Sequence, residues 1–199
     1  MMQMKRDLGN RQGEQGLRCL LCDSSGHMEL KPEGGEWVRS PIQCLDRAME
    51  GKPVIIAVRF WKMPMRERET LVELCAALKR NSRTRSTPVL ALLHTKHRGL
   101  MEALKRAGVD LARFIGETTL SSTRLIEIID GLGTEDRVER QWTLLCPYLD
   151  YDAIDSCHEM TVCGAYLDRM VLGGKRLHEI CETEDHLHCE YYLNPRIKE

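Results

Sequence analysis

The chain has 199 residues, 42% hydrophobic and 30% charged, with 29 Lys and Arg against 30 Asp and Glu. That length allows one ordinary domain with a small appendage, and a net charge of −1 gives no general pull toward nucleic acid or an anionic membrane surface. Aromatics at 5% leave little for the stacking platforms that bind single strands, and the longest apolar run, PVIIAV at 53–58, is far too short to span a bilayer.

The opening MMQMKRDLGNRQGEQG has no apolar stretch of the secretory kind. A cytoplasmic protein is expected, without nucleic-acid or membrane partners. Thiols stay reduced there, so nine cysteines point to metal or redox chemistry more than to disulfides.

Residues 1–16 read as a disordered leader, without periodicity and with few apolar positions. LRCLLCD (Leu17–Asp23) predicts a strand, and the turn-rich SSGHMELKPEGGEW a second short strand at His27–Leu30. SPIQCLDRAMEGK predicts a helix with Ser40 as N-cap, Pro41 in the first turn, Gly51 as the stop and Ile42, Leu45 and Met49 on one face. PVIIAVRF has the unbroken apolar character of a buried parallel strand. RERETLVELCAALKRN follows as an amphipathic helix with Leu71, Leu74, Cys75 and Leu78 on its apolar stripe. TPVLALLH is a second buried strand, GLMEALKRAGVD a helix closed by Gly108, and LARFIG a third, short strand. SSTRLIEIIDGLG is a last helix with a Ser cap and Leu125, Ile128 and Ile129 inward. Strands alternating with helices predict an α/β fold: a parallel sheet with right-handed crossovers and helices on both faces. The composition changes at GLGTEDRVERQW (131–142), which divides the chain into the leader, an α/β domain at 17–132 and a cysteine-rich module at 142–199.

RCLLCDSS, PVIIAVRFWKMP, TPVLALLH and ALKRAGVDLARFIGE together resemble the first strand, the third strand with its loop, the fourth strand and the turn into the fifth strand of response-regulator receiver domains. The resemblance implies a receiver-like, flavodoxin-like sheet over 17–132. The receiver's chemistry does not follow it. Its phosphoacceptor aspartate would end PVIIAV, where Ala57, Val58 and Arg59 stand, and its acidic pair is reduced to Cys22 and Asp23. Its hydroxyl residue falls near Leu93 or His94 and its lysine near Gly116. Magnesium needs oxygen ligands and phosphoryl transfer needs charge stabilisation, so the domain reads as a pseudo-receiver that is not phosphorylated. The segment between its first and third strands is also short for a helix. The resemblance further implies docking of a protein partner on Leu111–Gly116 and the helix before them; a homodimer stays open.

Five cysteines, Cys146, Cys157, Cys163, Cys181 and Cys189, lie in the last 54 residues, separated by ten, five, seventeen and seven residues. None of these gaps is the C-x₂-C knuckle of a zinc ribbon or a ferredoxin. The phrases CPYL, CGAY and CEYYL resemble a small cysteine-rich module of bacterial signalling proteins, which implies a metal held by Cys146, Cys163, Cys181 and Cys189, with Cys157 extra. Four thiolates suit tetrahedral zinc or an iron–sulfur cluster. The all-cysteine set with loose spacing leans to iron–sulfur, while His158, His178, His186 and His188 keep zinc open. Cys19 and Cys22 form a C-x₂-C pair, but on a strand three steps turn them to opposite faces. His94, His97 and Lys96 lie past a strand end, where α/β folds bind ligands, and could form an anion site or a solvated loop. The expectation is a regulatory, non-catalytic protein with a cysteine-ligated metal centre that senses redox state or metal. The alternative is a redox or electron-transfer enzyme using a cluster or the Cys19/Cys22 dithiol.

Overall fold

Ile55–Phe60 and Val89–Leu93 bury every residue, which a strand achieves only inside a sheet covered on both faces. The computed structural model describes residues 19–25, 28–29, 35–116, 119–166 and 169–196. The leader, and His27 and Leu30 of the second strand, lie outside them. Five strands form a parallel sheet: β1 (Cys19–Cys22), β3 (Gly35–Val38), β4 (Ile55–Phe60), β5 (Val89–Leu93) and β6 (Leu111–Phe114). Their spatial order is β3-β1-β4-β5-β6. Counted among themselves they run 2-1-3-4-5, the flavodoxin-like doubly wound order. A separate two-residue pair, β2 (Met28–Glu29) with β7 (Leu120–Ser121), forms a second parallel ladder that the sequence does not announce.

One face of the sheet carries α1 (Pro41–Gly51), α2 (Met65–Arg80) and α3 (Arg98–Arg106); the other carries α4 (Ser122–Asp130). Ser40 caps α1 by accepting from Gln43 N, and Ser121 caps α4 by accepting from Arg124 N. The stripes of α2 and α4 are buried as expected. The stripe of α1 is not. Ile42 is 75% exposed, and Cys44 and Ala48 face inward. The thiol of Cys44 meets that of Cys22 at the end of β1, so α1 lies close to the sheet and only small side chains fit beneath it. Gly108 ends the turn after α3 with φ +80, a conformation glycine adopts without strain. Among the described residues of the β1–β3 connection there is no helix, in keeping with its length.

Beyond α4 a strap crosses the open edge of β6. Ala112 N donates to Asp136 O at 2.7 Å, and Arg113 Nε meets buried Asp136 Oδ1 at 3.1 Å. Arg113 also donates to Ile128 O and Gly131 O, closing the C-terminal end of α4. The cysteine-rich segment then forms α5 (Val138–Thr143), an antiparallel sheet of β8 (Leu149–Ala153), β9 (Glu159–Cys163) and β10 (Met170–Val171), a short helix α6 (Gly174–Arg176) continued by a π-helical turn at Leu177–Cys181, a 3₁₀ turn at Glu184–His188, and α7 (Glu190–Leu193). Val138, Leu145, Leu149 and Leu172 belong to the same buried cluster as Leu100, Met101 and Leu104 of α3. The change of composition at 131–142 is therefore crossed by a continuous apolar core. No helix among the described residues is long and apolar enough to cross a membrane.

Candidate functional site

The C-terminal edge of the sheet is where an open α/β fold receives ligands. Register aligns Cys22 with Val58, Phe60 with Leu93, and Leu93 with Phe114. Asp23, Arg59, Trp61 and His94 therefore gather at this edge. Arg59 and Asp23 are fully buried, and the guanidinium Nη1 lies 2.9 Å from Asp23 Oδ2. Asp23 Oδ1 accepts from Ser25 N at 2.9 Å, its carbonyl accepts from Trp37 Nε1 at 3.3 Å, and Arg59 lies 4.8 Å from the centre of the Trp61 ring. Trp61 packs on His94 with centroids 3.9 Å apart. Burial, followed by the charges of Lys62 and Arg59, lowers the His94 pKa. Ala57 and Val58 turn into the two opposite core layers. Sequence reasoning saw at Arg59 only a missing carboxylate. The signal it passed over was a charge inside an apolar strand, which burial tolerates only with a partner.

The second candidate is the cysteine pocket. Cys146, Cys163 and Cys181 are buried in one apolar cluster, and Cys189 is half-buried. Cys146 N donates to Cys181 O at 2.8 Å. Cys163 stands across from Leu149 on β8, and Gly164 N donates to Tyr148 O at 2.8 Å. Tyr192, three residues past Cys189, packs its ring on Tyr148 and on His186. The four thiols are near enough to feel one another's charge. Burial, then the charges of Cys146, Cys163 and Cys189, pushes Cys181 up to about 12, and Cys146 is raised by burial first and by Cys163 and Cys189. They do not form a coordination shell as they stand: among the described residues no three His, Cys, Asp or Glu side chains are placed to hold a metal ion. Cys157 is apart from them. It sits exposed on the turn between β8 and β9, where Asp155 Oδ1 accepts its backbone N–H at 2.7 Å, about 20 Å along the strand from Cys163. His186 is buried with Nδ1 2.6 Å from Thr183 O, while His188 is exposed.

Cys19 and Cys22 face opposite core layers, so they share no site. Cys22 instead joins Cys44 and Cys75 in a buried group of thiols. The hydrogen bond to Cys22 and then burial raise Cys44 far above the thiol range, and burial followed by Cys22 raises Cys75.

The loop from β5 into α3 connects the two candidates. His97 caps α3 through Nδ1, which accepts from Leu100 N at 3.0 Å, and its Nε2 lies 3.2 Å from Glu159 Oε2. Arg68 grips the same carboxylate with both nitrogens at 2.7 and 2.9 Å. Arg98 N donates to Tyr151 Oη at 2.9 Å and Arg98 Nη1 to Leu145 O at 2.7 Å. Lys96 Nζ donates to Glu182 O at 3.0 Å. These bonds consume the His97 and Lys96 groups weighed as an anion site. They also pack the N-terminal turn of α3 against the cysteine module, while Glu102, Lys105 and Arg106 of α3 stay exposed.

No family model matches the chain, and no curated protein does. Among solved structures it is similar to the phosphorylated cyanobacterial phytochrome response regulator RcpA, at 13% identity over 61% of this chain and 94% of that one, with a TM-score of 0.42. The strand order and register establish the α/β architecture on their own.

Proposed function

We propose that this is a regulatory protein of receiver-like fold that is not phosphorylated, carries a cysteine-ligated metal centre and acts by docking to a protein partner. The observation that carries the first part is the buried pair of Arg59 and Asp23. A receiver-type reaction would need a divalent cation on the acidic corner at the end of β1. Here a guanidinium already neutralises Asp23, so a second cation would be repelled, and Ala57 and Val58 offer no carboxylate.

Support for the metal is the donor set itself. Cys146, Cys163 and Cys181 belong to one buried cluster and Cys189 acts on the Cys146 and Cys181 thiols by its charge, and thiolates are soft ligands suited to zinc or an iron–sulfur cluster. Cys146, Cys163, Cys181 and Cys189 would hold it, and binding would have to draw them closer than they stand. Zinc would supply a crosslink for a segment with little core of its own, and a cluster would add an accessible redox state. The loose spacing of an all-cysteine set leans toward the cluster.

Two measurements test this reading. The chain incubated with acetyl phosphate and magnesium should gain no phosphoryl group by intact mass, and stoichiometric labelling at Asp23 overturns the first part. Anaerobically purified protein should contain zinc, or iron with visible absorbance, at one centre per chain. Absence of both metals overturns the second part.

A further inference from the structure

We infer that the turn after α2 and the end of α3 form a docking surface for an acidic segment of the partner protein, with the guanidinium groups of Arg80, Arg83, Arg85 and Arg106 as its contacts. This rests on the docking part of the reading above and gives the partner a chemistry.

Charge is unevenly placed along the chain. Residues 79–106 hold eight Lys and Arg against one acid, Glu102, and residues 145–199 hold five against eleven acids, within a total of −1. The fold gathers the outer members of the first set. Lys79 Nζ, at the end of α2, donates to Asp110 Oδ2 at 2.9 Å, just past the end of α3, and to Thr87 O at 3.4 Å in the turn between α2 and β5. A Cβ on Gly108 would stand 3.6 Å from Lys79 Cβ. The C-terminal ends of both helices and the 81–87 turn are therefore neighbours. They lie where β5 begins, at the opposite end of the sheet from Asp23 and Arg59. Asp110 is already paired with Lys79. Arg80, Arg83, Arg85 and Arg106 are exposed and have no salt-bridge partner among the described residues.

Basic residues in the last turn of a helix are ordinary, because they meet the negative end of its dipole. That accounts for Arg80 and Arg106. It does not account for Arg83 and Arg85, which lie beyond α2. Their turn is pinned from within. Thr84 is fully buried and its hydroxyl donates to Leu78 O at 2.7 Å. Arg83 N donates to Asn81 Oδ1 at 2.9 Å, and Arg85 N to Asn81 O at 2.9 Å. Two like charges are thus carried outward on a backbone already ordered, which lowers the entropy cost of binding. Guanidinium forks match carboxylates two bonds at a time.

The extent of the patch selects the partner. A duplex nucleic acid or a lipid surface is a long polyanion that would run past it to the acid-rich remainder of the chain. A short acidic segment meets the patch alone, since screening confines each exposed charge to about 8–10 Å.

The test titrates the full chain into a fluorescent peptide of about six glutamates spaced by serines and reads anisotropy at low salt and at about 0.15 M. Salt should weaken binding. An exposed charge pair is worth a factor of about 2 to 5, so Arg83→Gln with Arg85→Gln should weaken it about 4- to 25-fold at low salt. Arg80→Gln with Arg106→Gln should act alike. Lys62→Gln with Arg66→Gln removes the same charge near the other end of α2, where both side chains are exposed, and should leave affinity within about twofold. Far-UV circular dichroism confirms folding; should either patch variant not fold, the other carries the comparison. A folded patch variant that binds as wild type does, or an equal loss in the Lys62 and Arg66 control, overturns the inference while leaving docking at another face intact. Tighter binding of duplex DNA or of phosphatidylglycerol vesicles than of the peptide overturns it too, as does a salt-sensitive dimer of the chain that the patch variants abolish. A wild type that binds no acidic peptide overturns it without touching the phosphoryl and metal tests above.

Discussion

His97 lies flat on Tyr151, with ring centroids 3.6 Å apart and planes 13° from parallel, at the seam between α3 and the cysteine module. Because Nδ1 accepts from Leu100 N, the proton of the neutral ring sits on Nε2 and is donated to Glu159 Oε2. The ring faces Arg68 from α2, Glu159 from β9 and Tyr151 from β8. Burial and the Arg68 charge outweigh Glu159 and push His97 down to about 4, from an ordinary value of 6.5. Between those two values the unfolded chain binds the proton that the folded chain refuses. Stability should therefore fall as pH drops from about 6.5 to about 4, by up to about 3 kcal/mol. His97→Asn keeps an N-cap but cannot titrate. Urea midpoints across this range should drop more steeply in wild type than in that variant; parallel slopes would refute the assignment.

The same stack restricts Gly99. A Cβ there would stand 3.2 Å from His97 Cε1 and 3.9 Å from Tyr151 Cδ2. In an open helix, glycine to alanine gains about 1 kcal/mol. Here the ring is held by Tyr151, Glu159 and Leu100 N and cannot yield without loosening the seam. Gly99→Ala should cost about 1 kcal/mol in equilibrium unfolding instead of stabilising. The ordinary helix gain would show that the ring is free to move.

Arg59 and Asp23 make a sharper prediction. Removing one member of a buried pair strands the other, at about 3–5 kcal/mol. Arg59→Met should therefore lower the denaturant midpoint severely. Adding Asp23→Asn should recover a large part of the loss, since the stranded charge is gone. A double variant no better than the single one would mean that Arg59 acts through packing on Trp61 and not through Asp23.

These residues show what the sequence could and could not convey. Ile55–Phe60, Val89–Leu93 and the stripes of α2 and α4 were legible because burial on one or both faces imposes an apolar pattern within a few residues. The α1 stripe misled because the pattern ranks Ile42 above Cys44, whereas the close approach of α1 to β1 selects the smaller side chain. Asp23 and Arg59 are 36 residues apart, and no local period links them. The phrases around Cys146, Cys163, Cys181 and Cys189 singled these residues out as a set, while the grip of Lys96 and Arg98 on neighbouring carbonyls involves backbone atoms that leave no trace in residue identity. The β2–β7 ladder is two residues long on each side, too short for any alternation to register.

Thiol reactivity follows from the same placements. The thiolate is the nucleophile, so a buried thiol with a raised pKa is slow and an exposed one is fast. Cys157 is exposed on the β8–β9 turn. Cys19 is pushed up to about 12 by burial, and Cys44 and Cys75 are raised further. Native protein treated with a chromogenic disulfide reagent at neutral pH should show one fast thiol per chain, which Cys157→Ser removes. Half-buried Cys189 should follow slowly, and Cys19, Cys22, Cys44 and Cys75 in the core of the sheet should react only on unfolding. On the metal reading proposed above, chelation should quicken Cys189, and Cys146, Cys163 and Cys181 to a lesser degree, while leaving Cys22, Cys44 and Cys75 protected in the core of the sheet. A fast phase surviving Cys157→Ser in native protein would show that one of the inner thiols reaches solvent, and would contradict the packing of α1 and α2 on β1.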